Sequence, residues 1–170
     1  MIYPKAWIDY LTFFHTDQDF FECHEVLEEH WKEEGMTGNL WPGLIQIAVA
    51  LYHQRRGNMN GARRMLTSGI KKLSSEKSAL NNLGIDSEHL LEKLKNRKKE
   101  IEQGLDYKTF ILPLTDELLE ACCVEAEKRG KVWELNRNPD ETIVHKHKLR
   151  DRTQVIEERD QQKQIKNRLS

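Results

Sequence analysis

The sequence predicts an all-α fold: a bundle of paired antiparallel α-hairpins with a charged C-terminal helical extension. Three observations lead there. Apolar residues recur at helical spacing almost throughout, no strand alternation extends far, and only four prolines interrupt the 170 residues.

The elements follow in order. A first helix spans about residues 4–14, with Pro4 in the first turn, where a missing N–H costs little. Asp17 is placed to cap the second helix, which runs to about Glu34 and stops at Gly35. The third begins near Leu40, tolerates Pro42 in its first turn and ends at Gly57-Asn58, and the fourth covers about 60–73. Short connections make these helices antiparallel neighbours. Residues 74–86, rich in Ser and Asn and broken by Gly84, read as a linker or loose turn. Ser87 is placed to cap a fifth helix ending near Gly104. Residues 109–114 have strand character but contain Pro113 and lack a partner, so they read as an extended connector. Thr115 caps a sixth helix that stops at Gly130. Residues 1–140 thus form one helical domain of ordinary size, and 141–170 a charged helical or partly disordered tail.

Composition narrows the function classes. With 38% apolar residues, 32% charged residues and a net charge of −1, the chain reads as water-soluble and cytoplasmic, without a global field to attract nucleic acid or an acidic membrane. The apolar run 40–52 is about two-thirds of the roughly 20 residues a bilayer requires. It contains Gln46 and leads straight into His53, Gln54, Arg55 and Arg56, so it reads as a buried helix. The N-terminus lacks the basic, apolar and small-residue sequence of a signal peptide. Cys23, Cys122 and Cys123 form no CxxC and read as reduced thiols. The tail over 145–170 has eight Lys/Arg against four Asp/Glu, but no aromatic for base stacking. It suits a protein partner better than a nucleic acid.

Chemistry is concentrated on the second and third helices. On a wheel of about 100° per residue, Phe20, Phe21, His24, Leu27, Glu28 and Trp31 share a sector roughly 120° wide. That phase puts Trp31 in the core and Cys23 off it. On the third helix Gln46, Ala50, His53 and Gly57 form one stripe, joined by Gly43, whose small residues would allow close approach of the second helix. An antiparallel fold near Thr37 brings position 24 level with about 50 and position 28 with about 46. His24, Glu28, Gln46 and His53 are therefore expected in one polar patch. Three readings fit: a core network that fixes helix register, a site for a divalent metal with His24, Glu28 and His53 as ligands, or metal-free acid–base chemistry. No HExxH motif is present, because the position of the second His is held by Glu28.

Residues 57–62, Gly-Asn-Met-Asn-Gly-Ala, read as a tight turn capped by Asn58 or Asn60 rather than as a phosphate loop. Arg55, Arg56, Arg63 and Arg64 flank that turn as a solvated rim.

Three separated blocks give a resemblance. Residues 14–15 and 20–28 with Trp31, residues 43–50 with His53, and Gly57-Asn58 followed by Gly61-Ala62 resemble a bacterial and archaeal family known as domain of unknown function 309. The likeness covers about residues 13–73. It implies a compact domain of paired α-hairpins and a motif that includes His24, Glu25, Glu28, Trp31, Gln46, His53 and Asn58. It implies no activity, cofactor or partner.

Overall fold

The computed structural model describes residues 3–130 and 132–133. Seven α-helices follow one another there: α1 (Lys5–Thr12), α2 (Phe20–Glu33), α3 (Leu40–Arg55), α4 (Met59–Ser74), α5 (Lys77–Asn82), α6 (Ser87–Glu102) and α7 (Asp116–Lys128). A π-helical turn, Phe13–Asp17, joins α1 to α2. No strand forms among the described residues, and Ile85 and Leu114 make an isolated antiparallel bridge. The fold is all-α. No helix of the described residues is long and apolar enough to cross a membrane. The tail 141–170 and residues 134–140 before it lie outside the described residues.

Side-chain caps start four of the helices. Asn58 accepts from the Gly61 N–H at 3.0 Å, and Thr115 accepts from the Leu118 N–H at 3.3 Å. Two caps differ from expectation. Asp19, not Asp17, caps α2 by accepting from Glu22 N at 3.1 Å, because the π-turn carries the first helical segment through Asp17 before Gln18 reverses it at φ 50°. Asp86, not Ser87, caps α6 by accepting from His89 N at 3.1 Å.

The segment expected to be a linker contains α5, held down by Leu80 and Leu83, both buried. Beyond it, the connector after α6 returns to the fold, and its Leu114 finds the bridge partner Ile85 that the sequence did not disclose.

Register is set by side-chain fit. Phe20 of α2 lies under the Arg55 guanidinium at the far end of α3, at 4.8 Å, while His30 packs edge-on against Trp41 at its start, at 4.9 Å. Rising numbers on α2 therefore meet falling numbers on α3, and the pair is antiparallel. α3 and α4 are antiparallel for a different reason. A Cβ on Gly43 would lie 2.7 Å from Leu73, and one on Gly69 would lie 3.0 Å from Ile47 and 3.3 Å from the Gly43 carbonyl. The small residue at 43 thus serves the α3–α4 approach rather than the expected α2–α3 one, and Gly57 has nothing within 4 Å of its would-be Cβ.

The core identifies the true phase of α2. Phe20, Cys23 and Leu27 are buried, whereas Phe21, His24, Glu28 and Trp31 are only half-buried. The expected phase differs because it set Phe21 and Trp31 on the core face, which left Cys23 off it. Buried thiols behave as small hydrophobes, and the Cys23 thiol donates to the Tyr10 carbonyl at 3.4 Å. Around this face Trp7 donates to the Leu83 carbonyl at 3.0 Å and Tyr10 to the Leu44 carbonyl at 2.8 Å. Each satisfies the one polar atom that a buried aromatic brings with it.

Candidate ligand-binding groove

Two polar regions lie against the bundle, and they differ in kind. The first is sealed. The π-turn and the residues after it bury His15, Thr16, Gln18 and Asp19, and the 103–115 connector covers them. Leu112 N donates to His15 Nε2 at 3.1 Å. The Tyr107 hydroxyl donates to Gln18 Oε1 at 2.6 Å, and Arg55 donates to the Gln18 carbonyl at 2.7 Å. Arg97 donates to Gln54 Oε1 at 3.1 Å, and its guanidinium lies 5.7 Å from the Tyr107 ring. Burial, with a smaller push from Lys93 and an opposing pull from the Leu11 carbonyl, lowers the His15 pKa to about 3. Burial also raises Tyr107 to about 12, against the opposing effect of Arg55 and Arg97. His15 and Tyr107 are therefore neutral near pH 7, and with the Arg55 and Arg97 guanidinium groups they fasten the connector to the bundle. They replace the solvated rim expected at Arg55, which is half-buried; Arg63 and Arg64 are exposed.

The second region is open. A groove of about 380 Å³ runs between α2, α3 and the end of α4. Its apolar walls are Trp31, Pro42 and Ile45, and its polar lining includes Glu28, Gln46 and Lys72. Glu28 and Gln46, level in the antiparallel register, share this lining without bonding to each other. Glu28 instead meets His24 Nε2 at 2.6 Å and Lys32 Nζ at 3.1 Å. Gln46 accepts from Lys72 Nζ at 3.3 Å, and Lys72 also donates to Ser68 Oγ at 2.9 Å. Among the described residues no carboxylate pairs with Lys72.

The expected single patch is therefore divided. His24 and Glu25 are side by side at 3.3 Å on the outer shoulder of α2. His53 is at the other end of α3, where its Nδ1 lies 3.4 Å from Asn58 Nδ2. Burial, then Arg56 and Arg64, lower the His53 pKa. Neither His53 nor Asn58 lines the groove. Among the described residues no three His, Cys, Asp or Glu side chains gather as a metal set, so the trio His24, Glu28 and His53 is not assembled. The distance along α3 explains this: seven residues from Gln46 to His53 span about two helical turns.

Of the seven candidate residues, Glu28, Trp31 and Gln46 are brought together, and α4 supplies Lys72, which the sequence reading missed. A weak signal existed. On α4 the buried stripe Ala62, Leu66, Gly69 and Leu73 places Lys72 at its border, and Gly69 marks the closest approach to α3.

The match to known sequences overlaps this region. The pattern of the domain of unknown function DUF309 matches residues 7–65. The uncharacterized protein YpuF of Bacillus subtilis (strain 168) is 46% identical over 165 residues, which is 95% of this chain and 95% of YpuF. The chain belongs to the DUF309 family. Within this DUF309 chain the matched residues hold Glu28, Trp31 and Gln46, whereas Lys72 lies past their end. No solved structure matches the chain.

Proposed function

We propose that this protein binds a small polar molecule in the groove between α2, α3 and α4. The observation that carries the reading is the lining itself. An indole, a proline ring and an Ile side chain stand beside Glu28, Gln46 and Lys72 in one concavity. The volume falls within the roughly 300–1,000 Å³ of small-molecule sites, whose walls are commonly apolar with a few convergent polar groups. Glu28 and Lys72 are the ionisable groups of the lining, so the reading is one of recognition rather than of a worked-out reaction.

A purely structural role for these polar residues has less support. His24 and Glu28 have side chains 32% and 36% exposed, too wet for a network whose task is to fix helix register in a core. The test is an NMR screen of the full chain against a mixed set of small acids, amines, amino acids and sugars. Binding should move the indole resonance of Trp31 and the side-chain amide of Gln46, both assigned by substitution. Shifts confined to other parts of the bundle, or no shifts with any compound, would contradict the reading.

A further inference from the structure

We propose that the ligand end recognised in this groove is a singly charged carboxylate carried on a small flat or aliphatic body, bound at Lys72, Gln46 and Trp31. The inference rests on the groove being a ligand site and names its chemistry. Among the described residues the Lys72 ammonium is held only by neutral oxygens, Gln46 Oε1 and Ser68 Oγ. Because Gln46 turns its oxygen to Lys72, its amide N–H groups are left to other acceptors. The Trp31 indole N–H, shielded from solvent, has no hydrogen-bond partner among the described residues. Trp31 therefore offers the groove its ring rather than its N–H. Two donor groups, the Lys72 ammonium and the Gln46 amide N–H, therefore border one concavity, and among the described residues no carboxylate is paired with Lys72.

The start of α3 adds to this. Asn39, its N-cap residue, lines the groove and makes no side-chain cap bond. The positive end of the helix dipole faces the same place and is met in part by the Glu76 carboxylate, which accepts from Asn39 N.

Charge limits the anion. Glu28 lines the groove, and the Glu76 carboxylate is beside it, accepting from Asn39 N at 3.1 Å. Opposed by two acids and drawn by one unpaired lysine, a dianionic phosphate is disfavoured, whereas a monoanion is matched. Trp31, Pro42 and Ile45 then cover the apolar body.

The test titrates the full chain with benzoate, benzyl alcohol, benzylamine and phenyl phosphate, following the Trp31 indole resonance identified with Trp31→Phe. Benzoate should shift it saturably and bind about tenfold or more tighter than the other three, the equivalent of one charge-assisted hydrogen bond. Lys72→Gln should remove that preference while the remaining spectrum stays dispersed and native-like. Equal binding of benzoate and benzyl alcohol, or tighter binding of benzylamine or phenyl phosphate, overturns the carboxylate assignment and keeps the groove as a ligand site. A benzoate preference that survives Lys72→Gln overturns it as well. No shift with any of the four probes overturns the groove reading together with it.

Discussion

The Lys72 ammonium on α4 donates to the Gln46 amide oxygen on α3 across 3.3 Å, joining residues 26 positions apart at the wall of the α2–α3–α4 groove. The bond is possible because Gly69, one turn before Lys72, lets α4 approach Ile47 and the Gly43 carbonyl closely. Packing of two small residues thus places the cation on which the recognition argument depends.

That close approach is itself testable. Gly43→Ala sets a Cβ 2.7 Å from the buried Leu73 side chain, and overpacking typically costs about 1–3 kcal/mol. Alanine recovers up to about 1 kcal/mol of helix propensity. The expected net effect is a loss of up to about 2–3 kcal/mol, read from the shift of the urea unfolding midpoint. An unchanged midpoint would show that Leu73 yields freely and that the glycine does not set the α3–α4 distance.

Leu27 and Trp31 should separate on denaturation although both are large residues of α2. Leu27 is fully buried, so Leu27→Ala should cost about 2–5 kcal/mol. Trp31 is half-buried and its indole N–H has no partner among the described residues, so Trp31→Phe should cost under about 1 kcal/mol. The reverse order would restore the wheel phase that the sequence suggested.

Tyr107→Phe removes the hydroxyl that donates to Gln18 Oε1 at 2.6 Å. Gln18 is 1% exposed, so its oxygen cannot turn to water, and the loss should be about 1–3 kcal/mol. Equilibrium urea unfolding of the variant measures it. A neutral result would mean that the Tyr107–Gln18 bond does not help to hold the connector.

His15 gives the fold an acid limb. Its pKa is about 3 in the folded chain against an ordinary 6.5, so below about 6.5 the unfolded chain takes up a proton that the folded chain refuses. Stability contributed by neutral His15 is complete above pH 6.5 and falls as pH drops toward about 3, at most by about 1.4 kcal/mol per pH unit. His15→Gln, which keeps an acceptor for Leu112 N, should flatten that limb in unfolding experiments between pH 7 and 4. An identical slope in both proteins would rule out His15 as its source.

What the sequence disclosed depended on how local the cause was. The helices α1, α2, α3, α4, α6 and α7 were legible because Asn58, Thr115 and Gly35 act within a turn of their own position and because apolar spacing is a local signal. α5 was not: Lys77–Asn82 contains Ser and two Asn, weak helix formers, and its hold comes from burial of Leu80. The π-turn was hidden for a similar reason. His15, Thr16, Gln18 and Asp19 look like loop residues, and only the returning connector makes them core.

At the site, Glu28, Trp31 and Gln46 were recognisable as polar and aromatic residues on adjoining helices. Lys72 was marked only weakly, by its place at the border of the buried stripe Ala62, Leu66, Gly69 and Leu73. The expectation that His53 would join them ignored the length of α3. One further loss came from the phase of α2: placing Phe21 and Trp31 on the core face left Cys23 off it and sent His24 and Glu28 inward, whereas Cys23 is buried.

The most direct measurement is a crystal structure of the full chain grown with benzoate. The account predicts benzoate in the α2–α3–α4 groove, its carboxylate about 3 Å from Lys72 Nζ and its ring against Trp31 and Ile45. A groove empty at saturating benzoate, or benzoate bound there with its carboxylate turned away from Lys72, would contradict it.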